Sequence, residues 1–168
     1  MAVTSQLGDV FGLEKETSLT MGRVAMPLQI AENHYLSQFI KGDEDFGNPS
    51  YVYPQADDLT VLAAQGQHLA LTARGYGAGR AVYLGNLPFS MENARLLQHI
   101  LLWLTQQEAV SHAWLSNNPY VDVAFYPETN KATAVDFTDQ AQQVTVFNTQ
   151  GEPQQLALQP YEWSWFDN

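Results

Sequence analysis

The segment from His68 to Leu104 constrains this chain most, because it fixes the order of three elements. His68-Leu-Ala-Leu-Thr-Ala-Arg74 reads as a strand, and Gly75-Tyr-Gly-Ala-Gly79 as a hairpin turn. Ala81-Val-Tyr-Leu-Gly85 reads as the returning strand. The helix starts only after Pro88, with Ser90 as its N-cap and Glu92 at the positive end of its dipole. Ala94, Leu97, Leu101 and Leu104 then recur at helical spacing, and Ile100 and Trp103 widen the apolar stripe. A dinucleotide-binding glycine loop needs a strand before it and a helix directly after it. Here the glycines of GxGxGR separate two strands, so backbone N–H groups and Arg80 holding an anion are the lesser reading. A glycine hairpin is the greater.

Around this segment the chain divides in character. Residues 1–23 read as a helix end or loop followed by an extended stretch. Residues 24–58, with Pro27, Pro49, Pro54 and the acidic Asp43-Glu-Asp45, read as irregular surface structure. Thr60-Val-Leu-Ala-Ala64 and the turn Gln65-Gly66-Gln67 complete a three-strand meander. From about Val110 the pattern is all β. Val121–Tyr126, Ala132–Phe137, Val144–Phe147 and Gln155–Leu158 read as strands, with turns at Pro127–Lys131 and Asn148–Gly151. Tyr161-Glu-Trp-Ser-Trp-Phe166 reads as a closing strand. The expected class is α+β: an α/β portion over 1–109, then a small β-sandwich-like domain over 110–168.

Charge and cysteine content narrow the function. A formal net charge of −11 argues against a nucleic-acid partner, which needs clustered Lys and Arg, and against an anionic membrane surface. The absence of cysteine removes disulfides, thiolate metal sites and thiol catalysis. The first nine residues have neither a basic nor an apolar leader region, and the apolar stretch Leu96–Leu104 is too short to span a bilayer. A cytoplasmic protein without cofactor or metal is expected.

No catalytic motif stands out. Asp43 could open a calcium loop, but positions six and twelve of that loop would hold Asn48 and Pro54 instead of Gly and Glu, and a solvated acidic loop is the better reading. His34, His68, His99 and His112 lack metal-ligand spacing, and His99 reads as a structural residue of the helix. No G-x-S-x-G elbow occurs, and no pair of carboxylates is singled out. Trp103, Trp114, Trp163 and Trp165, with Tyr120, Tyr126 and Tyr161, could stack on sugar rings. Packing in cores and interfaces is their commoner use.

Several stretches together carry a family resemblance: Ser5-Gln-Leu-Gly-Asp-Val-Phe-Gly-Leu-Glu-Lys-Glu16, Gly77-Ala-Gly-Arg-Ala-Val-Tyr-Leu-Gly-Asn-Leu-Pro-Phe-Ser90, Glu92-Asn-Ala-Arg-Leu-Leu97 and Trp114-Leu-Ser-Asn-Asn118. Gln142-Gln-Val-Thr-Val-Phe-Asn148 and Leu158-Gln-Pro-Tyr-Glu-Trp163 extend it. Nearly the whole chain resembles the C-terminal quarter of the 1,3-β-galactosyl-N-acetylhexosamine phosphorylases, also called lacto-N-biose or galacto-N-biose phosphorylases. At Ser116-Asn-Asn118 the family favours Ser-Ser-Asn. The resemblance implies a three-part enzyme: a catalytic (β/α)₈ barrel, a glutamine-amidotransferase-like α/β domain and a β-sandwich. It implies inverting phosphorolysis. A carboxylic acid protonates the glycosidic oxygen while phosphate attacks the anomeric carbon from the opposite face, giving α-galactose 1-phosphate. The residues of that chemistry belong to the barrel, so no catalytic, cofactor or metal residue is assigned here. The resemblance implies a scaffolding or subunit-contact role, with the barrel or another copy of the chain as partner. A stand-alone carbohydrate-binding or interaction module of a galactosidase-like protein is the alternative.

Overall fold

A computed structural model of the chain describes residues 7–20, 28–31, 33–40, 42, 44, 46, 50–66, 68–110, 116–148 and 150–167. Its backbone contacts form two compact units, Met1–Gln106 and Gln107–Asn168. The architecture is rich in β structure, with eleven strands and few helical segments among the described residues.

The first unit opens with a single helical turn, α1 (Gly8–Phe11), and the strand β1 (Leu13–Thr20). Gly12 joins them in the left-handed conformation at φ 66°. A side chain there would be strained and would meet Ala56 Cβ at 2.7 Å. The strands β2 (Leu28–Ile30), β3 (Ser50–Pro54), β4 (Thr60–Gln65), β5 (His68–Tyr76) and β6 (Gly79–Leu84) follow. The helix α2 (Met91–Leu104) ends the series. The order β2-β4-β5-β6 makes an antiparallel four-stranded sheet, and β1 pairs with β3 separately. Residues 24–58 are thus more regular than their prolines suggest. Besides β2 and β3 they hold a 3₁₀ helix at Tyr35–Phe39. Leu36, buried by that turn, shares the core with Leu62, Leu71, Leu96 and Ile100. Three residues of β2 and one turn of 3₁₀ helix are too short to carry a readable periodicity.

Strand β5 lies at the centre of the sheet and is buried from Leu69 to Ala73. One cluster holds Ala70, Leu71 and Ala73 with α2, and another holds Leu69 and Ala64 with Leu13 and Val52. Cover on both faces explains why this strand is continuously buried, and apolar except for Thr72, where a half-exposed strand would alternate.

In the second unit β7 (Val121–Tyr126), β8 (Lys131–Asp136) and β11 (Trp163–Asp167) form a three-stranded sheet in the order β11-β8-β7. The strands β9 (Gln142–Phe147) and β10 (Pro153–Leu158) form a two-stranded one. Val121, Val123, Ala132, Ala134 and Phe166 of the first sheet share one core with Val144, Val146 and Leu158 of the second. Asn117 ties its turn to this unit as a strand would. Its N–H donates to Thr145 O, and its Oδ1 accepts from Thr145 N, each at 2.9 Å.

Candidate functional site

The glycine segment is a hairpin with a two-residue turn. Pairing runs without a break from Leu71↔Leu84 to Tyr76↔Gly79, leaving Gly77 and Ala78 as the turn. Gly77 has φ 59° and Ala78 has no positive φ. Those signs suit a type II′ turn, whose first central position favours glycine. The turn is shorter than the Gly75–Gly79 expected from sequence. Arg80 points to the helix: its Nη1 donates to Trp103 O at 2.7 Å, and its guanidinium lies 4.8 Å from the Trp103 ring centroid. Trp103 O also accepts from Gln106 N at 3.1 Å, and a cation at this C-terminal turn complements the helix dipole. Arg80 therefore acts as a structural clamp.

The described histidines do not meet in a metal site. His99 is buried in α2, stacked on Phe39 and within 3.1 Å of the Tyr35 hydroxyl through Nδ1. His34 caps the 3₁₀ helix, its Nδ1 accepting from Leu36 N at 3.1 Å. Burial, and secondarily the Arg80 guanidinium, hold His34 below the ordinary imidazole value. His68 begins β5, and His112 lies outside the described residues. Among the described residues no three His, Asp or Glu side chains cluster as metal ligands. Of the acidic loop, Asp43, Asp45 and Asn48 lie outside the described residues. Glu44 folds back, accepting from Gly42 N at 2.8 Å.

A cleft of about 380 Å³ opens beside α1, lined in part by Asp9, Glu14, Gln55 and Arg74. Its polar groups bind one another. Arg74 pairs with Asp58 at 2.9 Å and donates to Asp9 O, and Gln55 donates to Glu14.

Two exposed surfaces remain. The first is the outer side of α2. The apolar residues at helical spacing divide between two faces: Leu96, Ile100 and Trp103 enter the core with Asn93 and His99. Ala94 is exposed, as are Leu97 and Leu101 at 43% and 54%, and Leu104 is half-buried. Of the six residues read from sequence as one stripe, Ala94, Leu97 and Leu101 thus face outward, while Ile100 and Trp103 are buried and Leu104 is half-buried. The apolar positions span an arc wider than the sheet covers, so spacing alone cannot say which part of that arc is buried. Phe89, just ahead of the helix, is 89% exposed.

The second surface is the outer face of the β7-β8-β11 sheet. Cross-strand register sets three rows on it: Asp122–Val135–Trp163, Ala124–Thr133–Trp165 and Tyr126–Lys131–Asp167. Trp163, Trp165 and Tyr126 are 62%, 48% and 42% exposed. Their rings form a chain, with centroids 6.0 Å apart from Trp163 to Trp165 and 5.2 Å from Trp165 to Tyr126. Of the other aromatic candidates, Trp103 is core, Tyr120 and Tyr161 are exposed elsewhere, and Trp114 lies outside the described residues. The grouping was readable in part: Trp163-x-Trp165 puts two rings on one strand face. The pairing with Tyr126 needed the register.

No described helix is long and apolar enough to cross a membrane. Residues 2–109 match the family model described as the lacto-N-biose phosphorylase central domain. Residues 114–166 match the lacto-N-biose phosphorylase C-terminal domain. A 1,3-β-galactosyl-N-acetylhexosamine phosphorylase of Lachnoclostridium phytofermentans is 31% identical over 162 residues, covering 96% of this chain and 22% of that protein. One of Bifidobacterium longum subsp. longum is 38% identical over 118 residues, covering 70% of this chain and 16% of that protein. The chain spans about a fifth of the length of the first of these relatives and less of the second. Among solved structures, the β-galactosidase from Rahnella sp. R3 is similar in fold, with a TM-score of 0.56 at 14% identity. That match covers 95% of this chain and 24% of the galactosidase chain.

Proposed function

The chain belongs to the lacto-N-biose phosphorylase family, and on that premise we propose that it is the non-catalytic C-terminal portion of an inverting phosphorylase. The whole enzyme would cleave β-1,3-galactosyl-N-acetylhexosamine with inorganic phosphate. The C1–O bond to the acceptor breaks, a carboxylic acid gives its proton to the leaving oxygen, and a phosphate oxygen bonds C1 from the other face. The products are α-galactose 1-phosphate and N-acetylhexosamine. No electrons change hands, so the reading calls for no redox cofactor. The catalytic groups would lie in a part of the enzyme outside these residues. The cytoplasm, where phosphate is plentiful, is the compartment this reading favours.

In this reading residues 1–109 are part of an amidotransferase-like domain. Its described sheet is antiparallel and feeds the helix α2 directly after the β5-β6 hairpin. The role is contact and scaffolding. The outward stripe of α2 carries the proposal: Phe89, Leu97 and Leu101 present apolar area of the kind that another protein surface covers. Its occupant in this reading is the catalytic barrel of the same enzyme.

The test replaces the matching region of the Bifidobacterium longum relative with this chain. The chimera is expected to release galactose 1-phosphate from galacto-N-biose and phosphate. Leu97→Asp with Leu101→Asp in the chimera is expected to lower that activity at least tenfold. The isolated chain is expected to release none. Turnover by the isolated chain, or an inert chimera that is folded, refutes the proposal. Full activity of the double variant refutes the α2 contact.

A further inference from the structure

We propose that the outer face of the β7-β8-β11 sheet is a galactoside-binding platform, built on Trp163, Trp165 and Tyr126. The face has nine outward positions, and two properties identify its occupant. First, its apolar area is mostly aromatic. Apart from Ala124 and the half-buried Val135, no aliphatic side chain contributes. Indole and phenol faces carry the negative end of a quadrupole, which attracts the polarised C–H groups of a sugar ring. Second, Asp122, Lys131 and Asp167 share the face with the rings. The core of a protein interface is depleted of such charges. Sugar hydroxyls both donate and accept hydrogen bonds; Lys131 and Asp167 share the Tyr126 row, and Asp122, whose Oδ1 accepts from Val123 N, shares the Trp163 row.

The ring geometry favours one or two pyranose rings over a flat polymer surface. Trp163 and Trp165 meet at 64°, and Trp165 and Tyr126 at 45°, so the three rings do not share a plane. Two inclined rings cradle a single sugar. Galactose suits such a cradle, because its axial 4-hydroxyl leaves C3–H, C4–H and C5–H together on one side. The choice of galactose over other pyranoses rests on the phosphorylase reading above; the platform itself rests on the sheet register and the rings.

The experiment titrates the full chain with methyl β-galactoside and galacto-N-biose, and with methyl α-mannoside as the control. The indole N–H resonances of Trp163 and Trp165 are followed beside that of buried Trp103. We expect the Trp163 and Trp165 signals to shift saturably with both galactosides and the Trp103 signal to stay in place. Trp165→Ala is expected to weaken the affinity about tenfold, with an unchanged melting temperature. Trp165→Phe, which keeps a ring, is expected to restore most of it. Lack of saturation overturns the proposal, as does tighter binding of the mannoside. So does concentration-dependent self-association that Trp165→Ala abolishes, because the face is then a contact between copies. Phosphorolysis is not read in this titration, so its failure leaves the phosphorylase reading to its own test.

Discussion

His34 shows how one side chain can link acidity to structure here. Its Nδ1 accepts the N–H of Leu36, which requires an unprotonated nitrogen, and its ring lies 5.3 Å from that of Trp103. Burial and then Arg80 depress its pKa, so the folded chain takes up this proton at lower pH than the unfolded chain, whose value is 6.5. Stability contributed by His34 is therefore in place above pH 6.5 and is lost as pH falls through the depressed folded value. The denaturant midpoint is expected to drop more between about pH 7.5 and about pH 5 in the native chain than in His34→Gln. Parallel losses in the two chains would remove His34 as the cause. From sequence His34 was only a histidine without metal spacing. Its cap depends on the 3₁₀ turn, and its shift on Arg80, 46 positions later.

At the scale of elements, the α2 N-terminus was legible because its signals are local. Ser90 Oγ accepts from Asn93 N at 3.0 Å, and the Asn93 amide donates back to Pro88 O at 2.6 Å. Ser90→Ala is expected to cost about 1 kcal/mol, measured by chemical denaturation; a change within error would mean that water replaces the cap. The face of α2 was not legible. Leu97 and Leu101 are as apolar as Leu96 and Ile100, and only the position of the sheet separates them. Strands β7 to β11 were legible to within two residues at each end. Turns rich in Pro, Asn and Gly bound most of them, and β7 alternates clearly. Strand β2 was not, since three residues carry no period of their own.

For the whole molecule, two units with separate cores suggest separate unfolding. Val146 is fully buried among Val121, Val144 and Leu158, whereas Leu62 and Leu71 belong to a core built by the first unit. Val146→Ala is expected to destabilise the second unit by about 1–3 kcal/mol, while amide exchange in β4 and β5 stays within error. Equal acceleration in both units would show one cooperative structure. The sequence by itself determined the hairpin-to-helix order, the helix cap, the β-rich second half and the family, because each rests on residues near one another or on motifs read directly. Tertiary structure alone decided which stripe of α2 faces outward, that Arg80 clamps Trp103, and that Tyr126 joins Trp163 and Trp165. These depend on register and on contacts between residues distant in the chain, and composition and periodicity carry no information about either.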